Sequence, residues 1–188
     1  MISVLPLVEG EGDVAAIPVL LRRICVAHKR YDVEICRPHR RGDVHKVYRR
    51  FHDFLRAGLN EADRLLWVMD CDDGCPLDWV AKLEDLYQGN PPGASCQLRF
   101  AFLVREYESL FLTEQAAARD KLAIAGPFPK NVDAVRGAKE WLSAQMPPGR
   151  AYKETSDQAA LTAQLDLHVL RQKSRSFRHL ESAFLSLI

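Results

Sequence analysis

Two short apolar segments that lead directly into acidic residues constrain the fold of this chain most strongly. Residues 2–8 lead into Glu9, Glu11 and Asp13. Residues 65–69 lead into Asp70, Asp72 and Asp73. Both segments have the length and apolar character of strands that are buried on both faces of a sheet. Because the carboxyl ends of parallel strands meet at one edge, the two acidic groups are expected to lie close together.

Helical patterns alternate with strand patterns along the first part of the chain. Strands are predicted at 2–8, 32–36, 65–69 and 98–104, and helices at 13–28, 44–59 and 78–87. A helix stop is predicted at 90–93, where two prolines precede a glycine. This alternation predicts an α/β fold with a parallel sheet of about four strands flanked by helices.

The remainder of the chain has only helical patterns. Helices are predicted at 109–125 and 131–144, after a capping box at 155–158, and from residue 176 onwards. The expected organisation is an α/β domain over residues 1–113 and a helical C-terminal extension over 114–188. With 47% hydrophobic residues in 188, the chain is able to build one compact core, and we expect the extension to pack on the same domain.

Charge is unevenly distributed although the net charge is only +1. Residues 37–50 form a first strongly basic stretch and residues 171–178 a second, whereas residues 61–85 are strongly acidic. An acidic centre beside a basic stretch suits a metal site next to a polyanion. Solvated helix faces would explain each basic stretch about as well. The predicted nucleic-acid-binding residues in the first stretch are Arg40, Arg41, Lys46, Arg49 and Arg50.

Cysteine usage and the N-terminus predict a cytoplasmic protein with reduced thiols. The five cysteines are an odd number for a disulfide framework. No basic-then-apolar leader begins the chain, and no apolar run is long enough to span a membrane. Cys71 and Cys75 lack a second pair of ligands, so a zinc site is not expected. The chain has no P-loop motif and is not expected to bind ATP itself.

The acidic groups have the chemistry of a Mg²⁺ (or Mn²⁺) site, because carboxylates repel one another unless a cation lies among them. The predicted metal ligands are Glu9, Asp13, Asp70, Asp72, Asp73 and Glu108. Other roles remain open: Glu9 would also suit a helix N-terminus, and the aspartates a turn. Glu108 would serve equally as a water-orienting base or as a structural helix-start acid.

At these residues the chain resembles the TOPRIM (topoisomerase–primase) family. That family has a glutamate, usually followed by glycine, after its first strand and an Asp-x-Asp after its third; Glu9-Gly10 and Asp70-Cys71-Asp72 occupy those positions. The resemblance covers roughly residues 1–113. It points to small stand-alone bacterial proteins related to the nuclease domain of the overcoming-lysogenization-defect family. In several such systems an ATPase partner accompanies the TOPRIM protein, often in phage defence.

The resemblance implies a Mg²⁺-dependent nuclease, or a nuclease subunit, acting on DNA or RNA. Glu9, Asp70 and Asp72 would be catalytic, and Glu11 or Asp13 would supply a second acid after the first strand. A late lysine completes the site in those relatives. Lys130, Lys139 and Lys153 are the candidates for that role, and Lys153 is included in the predicted catalytic set.

Two other functions fit the same residues. In the first alternative, the chain is a non-catalytic TOPRIM-like partner that regulates an ATPase, and its C-terminal helices form a docking surface. Alternatively, the carboxylates would support a metal-dependent phosphatase. The order of motifs along the chain favours the nuclease over the phosphatase. Phosphatases of the haloacid-dehalogenase pattern have an Asp-x-Asp on the first strand, whereas here it lies on the third. Oligomeric state and strand preference are left open by the sequence.

Overall fold

The computed structural model describes residues 1–88 and 97–188, and these contain a parallel sheet. Its strands are β1 (Ile2–Val8), β2 (Val33–Ile35), β3 (His39–Arg40), β4 (Arg64–Cys71) and β5 (Leu98–Val104). The strand order is β2-β1-β4-β5, and β3 pairs with the end of β1 beyond β2. The predicted α/β class and parallel sheet are therefore confirmed, with β3 as an additional short strand.

Helices flank the sheet and make up most of the C-terminal part. They are α1 (Glu11–Ala27), α2 (Val44–Arg49), α3 (Phe51–Leu59), α4 (Pro76–Gln88), α5 (Ser109–Thr113), α6 (Gln115–Leu122), α7 (Ala138–Gln145), α8 (Ala159–Thr162), α9 (Leu167–Lys173) and α10 (Arg175–Leu185). Within the two described segments, no helix has the combined length and apolar character needed to cross a bilayer. The predicted helix stop at 90–93, and Cys96, lie outside the described residues.

The two faces of the sheet have separate hydrophobic cores, as the alternation of side chains along a strand requires. On β4, Leu66 and Val68 contribute to the core that contains α1 and the C-terminal helices. Trp67 and Met69 contribute to the opposite core, which α2, α3 and α4 cover. Residues from beyond 113, such as Phe177, are buried in the first core together with the strands. The boundary at residue 113 stays a prediction.

Local backbone geometry divides several predicted helices. The predicted helix at 44–59 is interrupted at Arg50, which has φ −117° and ψ 23°. The helix at 109–125 is divided at Glu114, whose carboxylate caps α6. The helix at 131–144 is replaced by a 3-10 turn at Val132–Ala134, followed by α7, which begins after Gly137 at φ 70°.

The predicted capping box at 155–158 is wrong. These residues belong to a π-helical turn, Glu154–Gln158, that leads into α8. The Gln158 side-chain N–H donates to the carboxylate of Asp13 at 2.7 Å, whereas in a capping box the side-chain oxygen would accept a nearby backbone N–H. A tertiary partner has therefore taken the side chain that the local motif would have used.

Candidate functional site

The acidic ends of β1 and β4 meet at the carboxyl edge of the sheet, because these strands are neighbours and parallel. The backbone N–H of Asp70 donates to Glu9 Oε2 at 3.4 Å. Successive side chains of a strand point to opposite faces of the sheet, so Asp70 shares a face with Leu66 and Val68. Its carboxylate therefore lies on the face that α1 covers. The sequence therefore predicted correctly that these two acidic groups adjoin.

Asp13 is held in place by the first turn of α1 and by the distant π-helical turn. Its carboxylate accepts the Gly10 N–H at 2.9 Å and the Gln158 side-chain N–H at 2.7 Å. Gly12 permits this approach, since a Cβ at that position would lie 1.9 Å from Gln158 Oε1. Packing against residue 158 therefore requires glycine here and fixes the direction of the Asp13 side chain.

Glu108 is a completely buried acid just after β5. The Tyr152 hydroxyl donates to its Oε1 at 3.0 Å. Its other oxygen, Oε2, has no hydrogen-bond partner among residues 1–88 and 97–188. An unpartnered carboxylate oxygen is costly to bury, so this atom marks a place where a further donor or a cation would be stabilising.

Lys139 is the lysine that the fold brings to these acids. It lies in the first turn of α7, where Glu106 accepts the N–H groups of Gly137 at 3.1 Å and Lys139 at 3.4 Å. Its Nζ is 2.7 Å from Glu154 Oε1. Burial disfavours the charge on Lys139, but Glu108, Glu154 and Asp70 more than offset this, so its pKa is raised.

The other two candidate lysines have exposed side chains. Lys153 lines an open cavity of about 780 Å³ together with Lys139, and its backbone N–H donates to Asp157 at 2.8 Å. Lys130 precedes the 3-10 turn. The catalytic role of Lys153 stays a prediction, while the contacts of Lys139 single it out.

Four carboxyl groups at this edge have raised pKa values; we call Glu9, Asp13, Asp70 and Glu108 the inner acids. Burial, followed by smaller contributions from neighbouring acids, raises the pKa of Glu9 to about 7. Burial likewise raises the pKa of Glu108 to about 7. The pKa of Asp70 is well above its usual range, through burial and then Asp13, Glu9 and Glu108. Burial raises the pKa of Asp13 as well.

These pKa values follow mainly from burial, to which neighbouring carboxyl groups add, and a cation bound among the inner acids would stabilise their ionised forms. Carboxylate oxygens are the ligands that Mg²⁺ prefers, so the donor set fits that ion. Among the described residues, however, no three His, Cys, Asp or Glu side chains are already grouped closely enough to hold one metal ion. An ion would therefore have to draw the inner acids together.

The remaining predicted acids form a different group at the surface; we call Glu11, Asp72 and Asp73 the outer acids. Asp73 forms ion pairs with Arg105 and with Arg136, the latter at 2.6 Å. Glu11 pairs with Arg40 at 3.1 Å. The side chain of Asp72 is exposed and contributes to the raised pKa of Glu9. Among the described residues, Asp72 is therefore the one outer acid whose charge shifts the pKa of an inner acid.

The five predicted nucleic-acid-binding residues fall into two kinds. Lys46 and Arg49 are exposed on α2, and Arg40 is exposed but paired with Glu11. Arg41 is half-buried and donates to His39 Nδ1 at 2.6 Å. Arg50 is also exposed, and it lies over the Phe54 ring at 5.2 Å and beside Asp53 at 3.4 Å. The exposed members are those able to meet a polyanion directly.

Several site residues escaped the sequence-based reading. Tyr152 was not predicted as a site residue, and Gln158 was predicted only as part of the capping box at 155–158. Glu106 gave no signal of its role as the cap of α7, because that contact spans 31 residues. Gly12, between two acids at a helix start, was the one local hint that another segment approaches closely.

The fold and the site together define an α/β protein with a carboxylate-rich site at the carboxyl edge of a parallel sheet. The chain belongs to the family described as a domain of unknown function (DUF4276), whose model matches residues 8–184. No curated protein matches the chain.

The solved structures that resemble the chain over nearly its whole length include the C-terminal regions of two OLD proteins. The C-terminal region of the Burkholderia pseudomallei OLD protein has a TM-score of 0.50 and 13% identity, covering 98% of each chain. The C-terminal region of the Xanthomonas campestris pv. campestris OLD protein has a TM-score of 0.44 and 15% identity, covering 97% of this chain and 95% of that one. At such identities the first likeness shows a common fold, and it includes the C-terminal helices.

Proposed function

We propose that this protein is a TOPRIM-type nuclease, or the nuclease subunit of an ATPase-linked phage-defence system, that hydrolyses phosphodiester bonds with Mg²⁺ or Mn²⁺. The observation that carries this proposal is the group of inner acids at the carboxyl edge, with Lys139 beside them. Burial, with smaller contributions from neighbouring acids, raises their pKa values, and a divalent cation bound among them would favour the ionised carboxylates. The OLD-like fold supports the same assignment.

Each residue of the site has a proposed role that depends on its position. Glu9, Asp70 and Asp72 would be the principal ligands, with Asp13 and Glu108 as further acidic groups. A bound Mg²⁺ would supply Lewis acidity toward a phosphate oxygen and a lowered pKa for a coordinated water. Lys139, which remains charged, would stabilise the extra negative charge that phosphodiester hydrolysis develops.

The nucleic acid would approach over the exposed basic side chains of α2. Lys46 and Arg49 are exposed there, and Asp43, the N-cap residue of α2, is close enough to Glu9 to raise its pKa. Contacts of lysine and arginine with phosphates carry no sequence preference and weaken as salt rises. Either DNA or RNA is therefore compatible with this surface.

The test is an Asp70→Ala, Asp72→Ala double variant, with Asp85→Asn as the matched control. Asp85 is an exposed acid of α4 outside the site. We expect the double variant to lose cleavage of labelled DNA and RNA by at least about 100-fold with Mg²⁺ or Mn²⁺, while circular dichroism shows an intact fold. The control should cut like the parent. A double variant as active as the parent would refute the proposal.

A regulatory partner of an ATPase is the second candidate, because the described acids are not already arranged around a single ion. Calorimetric titration with millimolar Mg²⁺ and Mn²⁺ separates the two: binding that Asp70→Asn abolishes supports the nuclease, and no binding supports the regulatory module. Cleavage of a small phosphomonoester without cleavage of nucleic acid would instead identify a phosphatase.

A further inference from the structure

The outer edge of β5 lies in a groove between two helices. Cys75, Pro76, Leu77 and Val80, at the start of α4, line one side, and Arg175, Ser176 and His179 of α10 line the other. Phe100, Ala101, Phe102 and Val104 form its floor. The groove encloses about 220 Å³, which is room for a few side chains rather than for the surface of a globular protein.

The hydrogen bonds at both ends of β5 show which backbone groups face this groove. The Gln97 carbonyl accepts the Leu65 N–H at 2.6 Å, and the Arg105 N–H donates to the Cys71 carbonyl at 3.3 Å. Both bonds point toward β4, and successive residues of a strand direct their backbone groups to opposite sides. The even-numbered residues of β5 therefore direct their N–H and C=O groups away from β4, into the groove.

Helix α10 satisfies this outer edge at one end only. The Val104 N–H donates to Ser176 Oγ at 3.0 Å, as the alternation requires. Within residues 1–88 and 97–188, β5 pairs with no second strand, and no hydrogen bond reaches the outward backbone groups of Phe100 or Phe102. These two residues thus offer a short, unpaired strand edge of the kind that accepts an added strand.

The side chains around the edge specify the chemistry of an occupant. Leu77 is 64% exposed on the α4 side and provides apolar surface. Arg175 and His179 are exposed on the α10 side, and neither forms an ion pair with any acid in the described part of the chain. An extended segment with alternating apolar side chains and an acidic residue would therefore match both walls.

A second copy of the chain does not fit the same edge. Paired strands lie about 4.8 Å apart, and the edge of β5 lies on the floor of a groove between α4 and α10. Pairing of two such edges would also bring α4 and α10 of both copies against each other. A single extended strand has no flanking helices and is free to enter.

We propose that the β5 groove binds an extended peptide segment of a partner protein, which adds a parallel or antiparallel strand at Phe100 and Phe102 and places an acidic side chain against Arg175 and His179. This surface is separate from the inner acids, and its use does not depend on nuclease activity.

The first experiment selects random heptapeptides from a phage-displayed library on the immobilised full chain and measures the binding of a selected, labelled peptide. Leu77→Asp should weaken that peptide at least about tenfold, because it places a charge on the apolar wall. Val26→Asp is the matched control, since Val26 is 61% exposed on α1, and it should bind like the parent. A library that yields no peptide sensitive to Leu77→Asp would overturn the proposal.

The second experiment tests strand addition itself through N-methylation of single peptide positions. Because only alternate residues of an added strand donate to β5, methylation at alternate positions should weaken binding about tenfold, while the positions between them tolerate it. Bound peptide should also slow hydrogen exchange at the Phe100 and Phe102 amides. Equal tolerance at every position would contradict strand addition.

A third measurement checks the acidic contact and the oligomeric state. Arg175→Glu should weaken the binding of an acidic peptide by about fivefold or more, whereas Lys173→Glu, at the end of α9, should change the binding little.

Sedimentation of the parent and of Leu77→Asp tests whether a second copy of the chain occupies the groove instead. A parent dimer that Leu77→Asp converts to a monomer would show that a second copy fills the groove, and the proposal would fall.

Discussion

The inner and outer acids were predicted as one metal site from the same sequence pattern, but they lie in two different environments. The inner acids are enclosed by α1, Tyr152 and Gln158, and burial raises their pKa values. Among the outer acids, Asp73 and Glu11 lie at the surface with arginine partners. Enclosure, rather than the number of carboxylates, is therefore what raises the pKa of a carboxyl group at this edge.

Part of this enclosure comes from the C-terminal part of the chain. Lys139, Tyr152 and Gln158 all follow the strands in sequence, yet each contacts or acts on an inner acid. Of the outer acids, Glu11 pairs with Arg40 of β3, and Asp73 pairs with Arg105, which follows β5, and with Arg136. The helical extension is thus part of the candidate site, and the following variants test this difference.

The largest expected effect is the difference in cleavage rate between variants of Asp70 and of Asp73. Asp70→Asn should reduce Mg²⁺-dependent cleavage by roughly 1000-fold, because it removes a principal charged ligand. Asp73→Asn should remain within about threefold of the parent, since its charge is already used by Arg105 and Arg136. Initial rates on a labelled oligonucleotide measure both. Equal losses in the two variants would erase the distinction between inner and outer acids.

A second variant tests the packing that holds Asp13. Gly12→Ala places a Cβ 1.9 Å from Gln158 Oε1 and 2.8 Å from Glu154 Cβ, so we expect a loss of about 2–3 kcal/mol in the free energy of unfolding. Urea denaturation measures this loss. Ala15→Ser, at an exposed position of the same helix, should cost less than about 0.5 kcal/mol.

Gly12→Ala combined with Gln158→Ala should recover part of the loss, because it removes the closest clash. A single Gly12→Ala variant as stable as Ala15→Ser would show that the π-helical turn does not press on α1.

The third prediction concerns pH. The pKa of Glu108 is about 7 in the folded protein against 4.5 as its ordinary value. The folded state therefore binds more protons between those values, and without metal the free energy of unfolding should fall as pH rises from about 4.5 through 7. Glu108→Gln should raise the free energy of unfolding on the order of 2 kcal/mol at pH 8 in EDTA.

Thermal or urea unfolding in EDTA at pH 5 and pH 8 measures this effect. Glu84→Gln, an exposed acid of α4, is the control and should change stability at neither pH. Mg²⁺ should stabilise the parent more at pH 8 than at pH 5, since protons compete for the same carboxylates. A Glu108→Gln variant less stable than the parent at pH 8 in EDTA would contradict the raised pKa.

The smallest effect is expected at the surface. Arg136→Ala removes an ion pair whose side chains are 71% and 59% exposed, so it should change the free energy of unfolding by less than about 0.5 kcal/mol. A loss above about 1.5 kcal/mol would show that Asp73 is held as firmly as the inner acids. Chemical denaturation at low and high salt resolves the two outcomes.

Much of the sheet was predictable because its signals are local. The strand over 98–104 was predicted with the bounds that the structure shows, and Glu9 and Asp70 were placed at the same edge. β3 was missed because it has two residues and depends on pairing with β1. The helix breaks at Arg50 and Glu114 were missed because apolar spacing continues across both.

By itself, the sequence determined the order of strands and helices and the acids that end β1 and β4, since apolar periodicity and strand-end position act over a few residues. The tertiary structure decided which lysine joins those acids, that Gln158 binds Asp13 across 145 residues, and that Asp73 belongs to two arginines instead. Such contacts depend on how distant segments pack, and no local pattern encodes which of several similar side chains will be enclosed together.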